Sequence, residues 1–268
     1  MEILDYSRKY KSVYKEIIFR LDEESEELIE LENKEDIKIF NMIYKDEELI
    51  IECEELKMET LVEKIETVFS ELCFSLDEKK DIKKLLNLEI IQNKWKKIMV
   101  TLLKENLITT EIEFIYEVLK LLESESNIKD ILKDYYLFRH LFMGIYEVSS
   151  SKRVINKQKK IKNLFVGDIL FDLKIEYLEN EREVKVTGKE AMEYSYVDCI
   201  KKLKERKYLS KNETGEIKFL LDGKYLLNED NSIKTASVDI RIRYHKREMG
   251  REGKILLEIN HSFNIEEV

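Results

Sequence analysis

Proline is absent from this chain, glycine occurs only 7 times, and alanine occurs only as Ala191 and Ala236. All three have GC-rich codons while Lys, Ile, Glu and Asn abound, so a low-GC (AT-rich) bacterium, or a phage or mobile element living in one, is the simplest source. No run approaches the ~18 apolar residues of a membrane span, and no membrane partner is expected. The N-terminus, MEILDYSRKYKSVYKEIIF, carries acids early and no small-residue cleavage site, unlike a secretory signal. Cys53, Cys73 and Cys199 are few, odd in number and far apart, as expected of reduced thiols in a cytoplasmic protein. His140, His245 and His261 have no His or Cys partner at zinc spacing, so neither a metal nor a cofactor is expected. Serine never stands in G-x-S-x-G, GREGK at 250–254 is too short for a phosphate-cradling loop, and no dinucleotide fingerprint occurs.

What is present describes a globular chain. Charged residues make up 38% and the hydrophobic set 43%, with 14 Tyr and 11 Phe, which disfavours disorder. A length of 268 residues allows one to three domains. Charge is divided unevenly: residues 1–148 hold 22 Lys and Arg against 35 Asp and Glu, and residues 149–268 hold 25 against 21. Different partners for the two ends are the reading that follows.

The hydrophobic pattern predicts an α+β protein. Residues 1–56 read as a small acidic meander of short strands, although Tyr10, Tyr14, Ile17 and Ile18 also fit one helical face. Residues 57–148 carry four stripes at helical spacing and predict a central bundle of about four helices. The stripes begin at Met58, Leu88, Ile112 and Ile128; Thr109 or Thr110 and Asn127 are the expected caps of the last two. SSSKRVINKQKKIKN, residues 149–163, has six basic residues and no acid, and reads as a basic linker. Residues 164–268 switch to a period of two and predict an antiparallel sheet with one helix over 190–207. Asp222-Gly223 is the expected turn of one hairpin, and Met249-Gly250 lies near the turn of another.

Three groups of residues could carry function. The stretch GDILFDLKIEYLENEREVKVTGK places an acid before Glu183-Val-Lys185, an order similar to that of PD-(D/E)xK nucleases, which cleave phosphodiesters with Mg²⁺. If Asn180-Glu181 is the turn, Tyr177 faces Val184, Ile175 faces Val186, and Glu176 faces Lys185. Asp168 is then about 33 Å from Glu183 at the rise of a strand, too far to share a metal. Only Glu176, Glu183 and Lys185 remain as catalytic candidates, and cross-strand charge pairing explains the same pattern without chemistry. The second group is basic: Arg241, Arg243, His245, Lys246 and Arg247, with Lys201 and Lys204 of the preceding helix, could contact phosphates. The alternative is a helix-end dipole interaction and a Glu258–Arg241 pair across the hairpin. The third is DEESEELIELENKED, residues 22–36, with nine acids and one Lys, which could engage a basic partner. The expected function is a non-enzymatic binding or adaptor protein contacting a nucleic acid or protein through the basic C-terminal sheet. A Mg²⁺-dependent nuclease and an acidic inhibitor of a nucleic-acid-binding protein are the alternatives.

Overall fold

The computed structural model of the chain describes residues 1–22, 24–54, 60–105, 107–141, 143–191, 196–246 and 253–268. Among the described residues the alternation of apolar and polar residues builds eleven strands. The first five are β1 (Tyr6–Leu21), β2 (Leu28–Lys45), β3 (Glu48–Glu54), β4 (Glu71–Leu76) and β5 (Ile82–Leu85). The other six are β6 (Val154–Leu164), β7 (Gly167–Leu178), β8 (Glu183–Glu190), β9 (Gly215–Leu227), β10 (Ile233–Lys246) and β11 (Ile255–Glu267). All lie in one antiparallel sheet of order β5-β4-β3-β2-β1-β11-β10-β9-β8-β7-β6. The chain therefore starts in the middle, walks to one edge, crosses to the other edge, and walks back until β11 pairs with β1.

The crossing is made by α2 (Leu88–Leu102), α3 (Thr109–Leu122), α4 (Glu125–Asp134) and α5 (Tyr136–Leu141). A short α1 (Leu61–Glu66) precedes β4, and α6 (Val197–Glu205) lies between β8 and β9. One face of the sheet is apolar along almost every strand, as in Phe171, Leu173 and Ile175 of β7 or Phe219, Leu221 and Tyr225 of β9. The crossing helices cover that face with Trp95 of α2, Val118 of α3, Leu132 of α4 and Phe138 of α5, all buried. Phe138 meets Phe74 edge-on at 5.5 Å, and the Tyr225 hydroxyl donates to the His140 carbonyl at 2.7 Å. Helix α4 packs against both β5 and β6, the two edge strands, so the sheet curls around its helices.

Several expectations are corrected. Among the described residues there is no central helical bundle: the helices are short and line the inner face of a single large sheet. The first helical stripe gives only α1 and a 3₁₀ turn over Thr67–Phe69, after which Leu72, Phe74 and Leu76 alternate inward in β4. The N-terminal strands are long, with 16 and 18 residues in β1 and β2. Residues 154–163 of the expected basic linker belong to the edge strand β6, where lysines discourage pairing with another chain. Asp222-Gly223 does not turn; it lies inside β9, with Gly223 opposite both Val238 and Val186. Of the helix expected over 190–207, Val197–Glu205 form α6, Glu190 ends β8, and residues 192–195 lie outside the described residues. Ile108, not a threonine, caps α3, with its N–H bonded to the Glu111 carboxylate at 2.9 Å, and Asn127 lies inside α4. Met58, Met192, Arg247 and the Met249-Gly250 turn lie outside the described residues.

Gly188 of β8 makes a close approach possible on the inner face. A Cβ there would stand 2.6 Å from Leu173 Cδ2 and 3.2 Å from Leu221 Cβ. Leu173 can swing its tip away, but Leu221 Cβ is fixed to its strand. Gly188→Val is therefore expected to lower stability by about 1–3 kcal/mol in urea unfolding. An unchanged midpoint would show that β8 shifts to make room.

Candidate functional site

The register between β7 and β8 pairs Glu176 with Lys185, Asp172 with Lys189 and Tyr177 with Val184. Glu183 is nearly inaccessible, and its carboxylate takes Lys224 at 2.6 Å and Lys185 at 3.3 Å. Burial raises its pKa, but the hydrogen bonds from the two lysines outweigh this and hold it below the ordinary carboxylate value. Glu176 bonds Lys174 of its own strand at 2.9 Å. Among the described residues no three His, Cys, Asp or Glu side chains gather to hold a metal.

The basic candidates also meet acids. Arg241 pairs with Asp222 of β9 at 2.8 Å and Arg243 with Glu258 of β11 at 2.6 Å, so Glu258 faces Arg243 rather than Arg241. His245 Nδ1 lies 3.2 Å from the Gly253 carbonyl oxygen, and Lys246 continues the ladder through its backbone. On α6, Lys201 reaches Glu205 at 3.8 Å and Lys204 donates to the Lys211 carbonyl at 3.0 Å. Much of the charge of β10 is thus neutralised across the sheet.

The structure brings together residues that sequence reasoning missed. Between β3, β4 and the helices α1, α3, α4 and α5 lies a cavity of about 310 Å³. Its walls include Ile65, Phe69, Leu72, Val118, Leu122, Ile128, Leu132 and Phe138, and half-exposed Phe114 and Leu121 also line it. Its few polar groups are Lys38, Cys53, Glu66 and Tyr135. The Lys38 ammonium bonds Glu66 at 2.9 Å and lies 5.4 Å from the centre of the Tyr135 ring. Burial lowers the Lys38 pKa, but Tyr135 and Glu66 more than compensate and raise it above the usual lysine value. A hollow of about 610 Å³ on the outer face, between β6 and β9, is polar and open by comparison.

A polar seam runs along the inner face of β1, β2 and β11. Glu16 stands opposite His261 and Lys34, and Tyr14 opposite Phe263 and Asp36. His261 Nδ1 lies 2.8 Å from the Tyr14 hydroxyl and 3.3 Å from Glu16 Oε2. Burial, then the nearby Arg139 guanidinium, push the His261 pKa down to about 3. Burial also drives the Tyr14 hydroxyl up to about 12. His140 stacks on Phe263 at 4.8 Å, and neither of its ring nitrogens has a hydrogen-bond partner among the described residues. At the end of the seam, Glu16 and Lys34 join Asp168, Lys202 and Arg206 around a cleft of about 400 Å³. One signal for the seam was in the sequence: Tyr14 and Glu16 share the parity of buried Tyr10 and Ile18, which puts polar groups on an apolar face.

No family model and no curated protein matches the chain. A solved structure described as "Lipid-protein interactions in lipovitellin" is similar at a TM-score of 0.45 and 6% identity, over 98% of this chain and 25% of that one. The chain thus spans about a quarter of that protein's length. A likeness of that size bears on neither mechanism nor ligand.

Proposed function

We propose that this protein binds a small, largely apolar molecule in the cavity between its sheet and the helices α1, α3, α4 and α5. The supporting observation is the cavity itself: about 310 Å³, walled by aliphatic and aromatic side chains, with a few polar groups clustered around Lys38. Ligand sites of small molecules have this make-up, with apolar walls supplying affinity and a few polar groups fixing orientation. Phe114 and Leu121 on α3 continue the apolar lining outward while remaining 39% and 38% exposed, which marks the mouth. Burying apolar ligand surface here contributes roughly 25 cal/mol per Å². The Lys38–Glu66 pair accepts or donates a hydrogen bond to one polar group on the ligand.

The test is titration with N-phenyl-1-naphthylamine, a neutral probe that fluoresces when removed from water. Saturable binding by the native chain is expected. Val118→Phe fills the cavity from a residue that is 7% exposed, and should weaken binding at least tenfold, about 1.4 kcal/mol. Thermal unfolding of the same variant checks that it folds. Equal binding by a folded Val118→Phe protein would remove the cavity as the site.

A further inference from the structure

The cleft at the end of the seam differs from the rest of the charged surface in which of its charges are paired. Its acids have cationic partners: Glu16 meets Lys34 at 3.5 Å, and Asp168 meets Lys160 at 3.1 Å. Lys202 and Arg206 differ. Among the described residues neither has an ion-pair contact with a carboxylate, whereas Lys34, Lys160 and Lys201 each have one.

Arg206 is nonetheless held in place, and the chain leaves room for Lys202. Lys202 lies in the last turn of α6 and Arg206, four residues on, is its C-cap, so the two stand on one side of the helix end. Arg206 donates from Nη1 to the Phe165 carbonyl at 2.8 Å, and its guanidinium lies 4.5 Å from the centre of the Phe165 ring. Phe165 is itself held edge-on by Tyr208 at 5.0 Å. Lys202 lies over Gly167, whose φ of +115° belongs to the region that favours glycine. A side chain at 167 would collide with the Lys202 ammonium, since its Cβ would stand 2.6 Å from Nζ. The β6–β7 turn thus makes room for one cation and holds the other by its carbonyl and ring.

Two cations without an ion-pair partner, beside acids that share Lys34 and Lys160, leave a net positive charge in a concave space, tempered at Arg206 by Glu32. A planar guanidinium and an ammonium suit the oxygens of a phosphate, to which arginine offers two parallel donors. We propose that Lys202 and Arg206 bind the phosphate group of a small phosphomonoester seated in this cleft. The site is separate from the apolar cavity and does not rest on it. Its volume of about 400 Å³ suits a small molecule.

The experiment is calorimetric titration of the intact chain with phenyl phosphate and, separately, with inorganic phosphate. Native protein should bind phenyl phosphate saturably. Lys202→Gln should weaken that binding at least tenfold, and Arg206→Gln by a similar factor. Lys201→Gln removes the same charge from the exposed side of α6, where it reaches Glu205, and should change affinity less than twofold. If Arg206→Gln does not fold, having lost its contact with Phe165, Lys202→Gln still decides, because circular dichroism can confirm its fold. Binding of inorganic phosphate equal to that of phenyl phosphate would support the phosphate site and show that the organic group adds nothing. Three results would overturn the proposal: no binding of either probe at 10-fold molar excess over a millimolar Kd, as an order-of-magnitude ceiling; an equal loss from Lys201→Gln; or binding of a single-stranded oligonucleotide without binding of either small phosphate.

Discussion

Lowering the pH from 7 to 4.5 is expected to destabilise the protein by about 2–3 kcal/mol through His261 alone. In the unfolded chain this imidazole has an ordinary pKa of about 6.5. In the folded chain burial and Arg139 hold it near 3. Between those values the unfolded state binds a proton that the folded state refuses, so stability falls as pH falls through this window. The 3.3 Å contact with Glu16 favours the imidazolium, but removal from water outweighs it. His140 acts in the same direction: burial, then Arg139, His261 and Lys159, push its pKa well below the ordinary value. Aspartates and glutamates contribute mostly below about pH 4.5, where their unfolded-state values lie, so the histidines dominate the upper part of this window. Urea midpoints at pH 7 and pH 4.5 measure it. His261→Gln, whose side chain does not titrate, should reduce the difference; an undiminished difference would place the acid sensitivity elsewhere.

Phe263→Ala is expected to cost about 3–5 kcal/mol, a large part of the stability of an ordinary domain. Phe263 is fully buried in β11, between Tyr14 of β1 and Val238 of β10. Its ring also stacks on His140, so it joins the strand that closes the sheet to the helix that fills it. Truncation leaves a cavity and removes the surface on which α5 rests. Phe263→Leu keeps most of the volume and should cost less, about 1–1.5 kcal/mol. Guanidinium unfolding of both variants compares them. A cost below about 1 kcal/mol for the alanine variant would mean that α5 relaxes into the space, which the packing of Tyr225 beneath the His140 carbonyl opposes.

The β7–β8 hairpin was readable to the residue. Its alternation fixes which side chains face inward, and only one turn position puts Ile175 opposite Val186 and Tyr177 opposite Val184, as the structure has them. Helices α2 and α3 were readable from their stripes, because a helix reports its buried face every three or four residues. The stripe from Met58 to Leu72 was not. Leu72 fits a helical stripe and an alternating strand equally well, and strand β4 forms because β3 supplies an edge for it to pair with. Asp222-Gly223 misled for a related reason. The dipeptide favours a turn in isolation, but inside the sheet Gly223 has strands on both sides and lies against Val186.

The candidate sites were less legible. Lys201 and Lys204 were visible as basic residues, as were Lys202 and Arg206, yet nothing local separated the paired charges from the unpaired ones. That separation comes from Phe165 and Gly167, some forty residues earlier, meeting α6. Lys38, Glu66 and Tyr135 gather only because β2, α1 and the segment joining α4 to α5 converge. By itself the sequence determined the period of β7, α2 and α3, the face their residues take, and the register of a hairpin with a short turn. The tertiary structure alone decided that β11 returns to pair with β1, that the helices fill one curled sheet, and which charges find partners. Periodicity is carried by neighbours a few residues apart, whereas strand order and ion pairing depend on apolar faces and charges that only the closed sheet brings within reach.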